Sequence, residues 1–303
     1  MSVISTSNHP AALWPGVRAW WGISYDAHEK EYVYLFEEVD SDKAYEEENQ
    51  STGFGYIPVK GQGAGVMYDS HSQGYTKRYT NVAYAMGYIV THEELMDNKY
   101  AEVSKGRSQS LAFSTNTTIE TIGSLVYDRA FNSSYTGGDS KELCATDHPN
   151  STGGTFSNEL SSGVDLSETG IEDLLTQIAA ATNDRGLPIK IMPECLIVHP
   201  SEWWNANRIM KSTLQNDTAD NAVNVLRMTN ALPKGIKMNH YLTDSDNWFV
   251  KTNCPNGMKF QWREKPMFDQ DNDFDTMNAK AKVYFRCVAG WTDPRGLYGS
   301  EAP

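Results

Sequence analysis

Val82-Ala83-Tyr84-Ala85-Met86-Gly87-Tyr88-Ile89-Val90-Thr91-His92-Glu93-Glu94 changes its period part-way along. Val82, Tyr84, Met86, Tyr88 and Val90 alternate with mostly smaller residues, as a half-buried strand does. Thr91 with Glu94 three residues on then reads as a helix start, a hydroxyl cap answered by an acid. Apolar residues return at Leu95, Met96, Tyr100, Val103, Leu111, Ile119, Ile122, Val126 and Ala130, and no proline intervenes before Ser134. The spacing predicts one long helix, with Gly106 or Gly123 as the places where it would break. About 40 residues at about 1.5 Å each would span roughly 60 Å, the length of a spine rather than of an ordinary domain helix.

Upstream lie the acidic run Glu46-Glu47-Glu48, five glycines (Gly53, Gly55, Gly61, Gly63, Gly65) and strand-like text at 66–68 and 75–80. With 82–90 they predict a long hairpin over 46–90 that projects from the body, its glycines serving the turns. Residues 1–22 hold Pro10, Pro15, Trp14, Trp20 and Trp21 and read as an extended arm. Three tryptophans on an arm need a surface, either their own subunit or a neighbour. Downstream, 137–163 is rich in Gly, Ser, Thr and Asn and reads as loop. Thr169-Gly170-Ile171-Glu172 reads as a second capping box, followed by an apolar stripe at Ile171, Leu174, Leu175 and Ile178. Cys195 to His199 reads as a buried strand, and Pro200-Ser201 as the start of a helix carrying Trp203, Trp204 and Met210. Strands follow at 236–242, 248–252 and 258–263, with a long one at 280–291. Helix and strand mix without βαβ alternation, so the fold class is α+β.

The chain has 303 residues and a formal net charge of −13, with 39% hydrophobic and 21% charged residues. That balance describes a globular chain able to bury a core. The acidity excludes tight nucleic-acid binding through a broad basic face, although an acidic protein can line a container for DNA. The apolar runs fall far short of the roughly 20 residues that span a bilayer, so no membrane is expected. Tyr and Trp, at 16 and 8 copies, suit surfaces that are apolar on one side and wet on the other. No cofactor or metal is expected. Cys144-x3-His148 and Cys195-x3-His199 imitate zinc pairs but lack the usual spacing, and a buried Cys with a surface His is the plainer reading. Asp269, Asp271, Asp273 and Asp275 imitate half an EF-hand, but Phe274 and Lys280 stand where Gly and Glu are needed. Gly61-x-Gly63-x-Gly65 lacks the Lys-Ser/Thr of a phosphate cradle. No G-x-S-x-G elbow or grouped triad gives an enzyme reading an anchor.

Several words resemble the Mu-like major head proteins of tailed phages. They are Leu13-Trp14-Pro15-Gly16-Val17 with Trp20-Trp21-Gly22, Lys43-Ala44-Tyr45-Glu46-Glu47, Ala130-Phe131-Asn132-Ser133, Leu143-Cys144-Ala145-Thr146-Asp147-His148-Pro149, Asn272-Asp273-Phe274-Asp275 and Trp291-Thr292-Asp293-Pro294-Arg295-Gly296. The resemblance implies the tailed-phage major capsid fold of the Hong Kong 97 type. It implies an N-terminal arm over 1–45, an extended loop over 46–90, and a peripheral domain with the spine helix over 91–164. An axial domain would follow over 165–250, with return strands over 251–303. It further implies pentamers and hexamers in an icosahedral virion shell around double-stranded DNA, touched non-specifically, with assembly in the host cytoplasm. A separate scaffolding protein and a portal would be partners, and a decoration protein is a further one. An encapsulin-like compartment shell is the alternative. Trp14, Trp20, Trp21, Phe54, Tyr56, Lys77, Arg78, Trp203 and Trp204 are the expected subunit contacts. Some relatives crosslink a loop lysine to an asparagine; Lys60 and Lys77 lie in the loop, but nothing selects a pair, and no crosslink is expected.

Overall fold

The structure, a computed structural model, describes residues 14–91, 93–94, 100–215, 222–273 and 275–302, without the side chains of 14–15 and 100–103. Residues 1–13 of the expected arm and most of 92–99 lie outside the described residues. From Trp14 on, the arm is a helix, α1 (Trp14–Asp26), and not extended. Pro15 is tolerated in a first helical turn. Val17 and Trp21, four residues apart, share the face that is buried. A single helical turn, α2 (Tyr32–Leu35), follows.

The long helix, α3 (Tyr100–Asp128), runs through Gly106 and Gly123 without a break. Its 29 residues span about 43 Å. Upstream of it, the Glu94 N–H donates to Thr91 Oγ1 at 3.3 Å, the cap read from sequence. Its buried face is unusually polar. Asn116, Glu120 and Ser124 sit at four-residue spacing, and each catches another segment. Asn116 Nδ2 donates to Tyr25 O at the end of α1. Glu120 accepts the N–H groups of Glu31 and Tyr32 at 2.9 and 2.8 Å, capping the start of α2. Ser124 Oγ donates to Asn239 Oδ1 at 3.0 Å. One turn further, Tyr127 Oη donates to Leu35 O at 2.9 Å. The spine is therefore a row of caps for the chain that crosses it, which satisfies backbone groups no ladder reaches.

Two sheets flank this helix. The first has the order β1 (Glu37–Asp40), β10 (Met258–Asn272), β11 (Ala279–Trp291), β4 (Val82–Val90). Strand 82–90 is therefore not part of the hairpin. It pairs antiparallel with β11, from Val82 opposite Cys287 to Val90 opposite Ala279. Of its alternating residues, Tyr84, Tyr88 and Val90 turn inward, while Val82 and Met86 are about half exposed. The true hairpin pairs β2 (Tyr45–Ser51) with β3 (Gln73–Thr80). β10 is longer than its expected 258–263 and accommodates Pro266 at a register shift.

The 137–163 loop contains a two-residue ladder of β5 (His148–Pro149) and β6 (Thr155–Phe156). α4 (Glu168–Ala179) is capped by Ser167, not Thr169: Ser167 has extended dihedrals and its Oγ accepts the Gly170 N–H at 3.1 Å. The second sheet has the order β12 (Leu297–Ser300), β9 (Trp248–Thr252), β7 (Pro193–Val198), β8 (Ile236–Met238). β7 alternates between two cores. Cys195 and Ile197 join the core formed by the first sheet and α3, whereas Leu196 and Val198 join one formed with α4, α5 (Trp203–Lys211) and α6 (Val225–Met228). Burial on both faces explains the unbroken apolar run Cys195 to Val198. No helix among the described residues is long and apolar enough to cross a membrane.

Candidate assembly surfaces

The hairpin is fixed to the body at its base. Lys259 Nζ on β10 lies 2.7 and 2.6 Å from the two Glu48 oxygens and 2.9 Å from Asn256 Oδ1. Thr292 Oγ1 donates to Glu48 at 2.6 Å and shares a second 2.6 Å bond with Tyr79 Oη. Gln50 Nε2 donates to Thr292 O at 2.8 Å. Where the hairpin passes into β4, Asn81 Nδ2 donates to Ser41 Oγ and Lys43 O. Charged hydrogen bonds at these lengths, partly or fully desolvated, hold a strand pair more firmly than exposed pairs do.

Beyond the base, buried Thr52 bonds Ser72 through backbone and hydroxyl, and from there the chain makes an excursion over 53–71. Phe54, Tyr56, Ile57, Val59, Val66, Met67 and Tyr68 are all exposed, Ile57 to 95% and Tyr68 to 92%. One tether returns it to its own body. Asp69 accepts the Gly55 and Ser70 N–H groups at 2.9 and 2.8 Å and sits 3.3 Å from Arg185, which also donates to Ser70 O. Those backbone donors, and then Arg185, hold the Asp69 carboxyl below the usual range. Isolated apolar residues on a surface are ordinary, but seven on one unpaired excursion are a patch that wants a cover.

The expected contact residues divide. Trp21 is buried in its own chain, stacked between Tyr25 and Phe268 at 4.9 and 5.5 Å. Trp20 is half-buried against the same core, and Trp203 against the second. Lys77 is also turned inward: its Nζ donates to Thr136 O at 2.8 Å and lies over the Trp291 ring, and burial lowers its pKa. Arg78 is exposed and stacks 3.7 Å over Tyr45. Phe54, Tyr56 and Trp204, 75% exposed, remain on the surface. The Trp14 side chain lies outside those described.

The metal look-alikes resolve into structure. His148 is fully buried, not on the surface, because both ring nitrogens are used: Nδ1 lies 2.6 Å from Asp139 and Nε2 3.0 Å from Asn158 Oδ1. His199 Nδ1 accepts the Ser201 N–H. Cys144, Cys195 and Cys287 are buried free thiols, and burial raises their pKa. Asp269 and Asp273 face Lys282 and Lys280 across the β10–β11 turn. Among the described residues no group of three or more potential ligands is placed for a metal.

Sequence reading missed a second hub. His148 stacks on Phe156 at 5.0 Å, and the Arg295 guanidinium covers the same ring at 3.8 Å. Arg295 also donates to Thr182 O, Asn150 and Asp184, at 4% exposure. Two words 147 residues apart, around His148 and Arg295, thus meet on one ring. Beside Arg295 two segments approach closely: a Cβ on Gly296 would lie 2.6 Å from Gly257 Cα, and the reverse is 2.8 Å, so both positions require glycine.

A model of the phage capsid protein family matches residues 74–300. Among curated proteins, no sequence matches the chain. Several solved structures are similar in fold. The virus-like particle from Pyrococcus furiosus has a TM-score of 0.55 and 11% identity, covering 95% of this chain and 98% of that one. The capsid of an empty GTA particle has a TM-score of 0.58 and 9% identity, with 90% of each chain covered. Mycobacterium phage Patience has a TM-score of 0.56 and 11% identity, covering 99% of this chain and 89% of that one.

Proposed function

The chain belongs to the phage capsid protein family and has the tailed-phage capsid fold, and from that premise we propose that it is the major capsid protein whose copies close into pentamers and hexamers of an icosahedral shell around double-stranded DNA. The observation that carries the reading is the 53–71 excursion on a firmly anchored hairpin. A rigid base with a free apolar tip is what a subunit needs to lap over a neighbour. Covering one large apolar side chain contributes about 1.5–3 kcal/mol, so the seven together offer on the order of 10 kcal/mol before ordering costs. Different patches give and receive this contact, which makes it heterologous and lets rings close. Phe54, Tyr56 and Trp204 are contact residues in this reading. It needs no metal, disulfide or covalent crosslink, and its role is structural rather than catalytic.

A scaffolding protein and a portal are the partners such a shell requires, and the virion is its place. The test is electron microscopy of the protein co-produced with its scaffold. Closed shells tens of nanometres across are expected. Only small oligomers with scaffold present would refute the reading. Closed shells that package an enzyme and never nucleic acid would favour the compartment alternative.

A further inference from the structure

A cleft of about 760 Å³ lies apart from these surfaces. It opens where the second sheet leaves the first core. Its floor carries Cys195, Lys237 and Lys251 from adjacent strands, and Lys30, Tyr34 and Glu37 form the facing wall. Lys251 Nζ donates to Tyr34 O at 3.0 Å. Lys237 Nζ lies 5.4 Å from the centre of the Tyr34 ring, and Lys30 Nζ 4.9 Å from that of Tyr25. Lys234 pairs with Glu194 at 2.6 Å at the rim. Among the described residues, no carboxylate oxygen comes within 4.0 Å of the Lys30, Lys237 or Lys251 ammonium.

Three lysines without a carboxylate partner share one cleft of this acidic chain. It has 39 acidic residues against 26 basic ones, so acids are not scarce. Ammonium groups drawn partly out of water normally find an anion. Burial already lowers the Lys251 pKa, despite the Cys195, Glu194 and Glu37 groups near it.

We propose that this cleft is an anion site for the phosphodiester backbone of nucleic acid, held by Lys30, Lys237 and Lys251. The proposal rests on the reading of the chain as a DNA-enclosing shell. The lining has four lysines and no arginine. A lysine acts as a point charge that takes a phosphate oxygen from many directions and ignores the base, whereas planar carboxylate recognition favours the arginine fork. Glu194 is neutralised by Lys234. Glu37 opposes the ligand and keeps affinity modest, as a shell that must release its genome requires. Three phosphate contacts predict that log K falls with log salt with a slope of about −2 for a single strand.

The test is fluorescence anisotropy of a labelled short oligodeoxythymidylate with the full chain over a salt series. Competitors are a duplex of equal length, inorganic phosphate and an oligoglutamate of equal charge. The wild type is expected to bind with the slope above, and Lys237→Gln to lower its magnitude by about 0.7. Lys237→Gln leaves the Lys251–Tyr34 bond in place, and an unchanged urea midpoint confirms that it folds. Lys237→Gln/Lys251→Gln should lower the slope twice as far, and Lys190→Gln, outside the cleft, should leave it unchanged. A slope untouched by the double variant overturns the assignment. So does competition by oligoglutamate at equal concentration, which would mark an acidic protein partner, or by inorganic phosphate alone. Micrographs of the same variants judge the shell reading separately, since shells that form without cleft binding sink only the cleft.

Discussion

Glu48→Ala is the change that best probes how the hairpin is held. The Glu48 carboxylate takes two contacts from Lys259 and one from Thr292, all within 2.7 Å. The Lys259 side chain is 9% exposed and the Glu48 side chain 23%. Removing one partner of a buried pair costs about 3–5 kcal/mol because a charge is stranded. Asn256 stays on Lys259, and Glu48 is partly wet, so the expected cost is about 2–3 kcal/mol. Lys259→Met in the same chain removes the stranded ammonium, so Glu48→Ala/Lys259→Met should cost about 1 kcal/mol or less. The loss should be local, opening the hairpin before the body. Hydrogen exchange of amides 73–80 should therefore speed up roughly 30- to 160-fold in Glu48→Ala, while amides of β7 and β9 stay protected. Two results would refute the reasoning. One is a double variant no more stable than Glu48→Ala. The other is unchanged exchange across 73–80.

Burial pushes the Glu120 carboxyl up from 4.5 to about 7, against the pull of the Glu31 and Tyr32 N–H groups. The folded state then holds this proton more tightly than the unfolded one, so the contribution is full below about 4.5 and lost as pH rises through about 7, at most about 3 kcal/mol. Glu120→Gln should flatten the change of urea midpoint across that window, and equal pH profiles for variant and wild type would count against the assignment. Gly296→Ala places a Cβ 2.6 Å from Gly257 Cα and should destabilise by about 1–3 kcal/mol, read as a lower Tm. Ile57→Ser/Val59→Ser/Tyr68→Ser should leave monomer stability within about 0.5 kcal/mol and abolish closed shells in micrographs; normal shells would remove the loop from the assembly account. Arg185→Ala removes the exposed contacts to Asp69 and Ser70 O, so it should leave the urea midpoint nearly unchanged while raising protease cutting within 52–72.

The parts of the fold legible in sequence are those whose pattern is local. The run Cys195 to Val198 and the stripe Ile171, Leu174, Ile178 announced buried elements because both faces, or one stripe, are apolar. The destination of Val82–Val90 was not legible, since its alternation suits a hairpin as well as a sheet. Only its register against β11, nearly 200 residues away, decides between them. The spine's buried face was hidden for another reason. Ser108, Thr115, Asn116, Glu120 and Ser124 look like a solvated side, yet they are buried. Thr115 satisfies its hydroxyl on the preceding turn and the others mostly on chain ends brought from elsewhere. The contact candidates fared according to the same logic. Trp21 and Lys77 carry no local sign of their partners Phe268 and Thr136, whereas Phe54 and Tyr56 sit in text with no period at all and are exposed.

The two halves of the hairpin therefore answer to different pressures. At the base, Glu48, Lys259, Thr292 and Tyr79 interlock through charged and hydroxyl groups, and Asn81 ties the exit strand to Ser41 and Lys43. At the tip, the restraint to the body among the described residues is Arg185 with Asp69 and Ser70 O, an exposed contact of the kind that adds little to stability. Releasing such a restraint costs little, while covering even two of the exposed apolar side chains returns about 3–6 kcal/mol gross. The balance favours exchange of the tether for a neighbour whenever a neighbour is present, and the anchored base keeps that exchange from spreading into the body. Stability and assembly are then separable by mutation: base variants should lower the unfolding midpoint, and tip variants should lower shell yield alone.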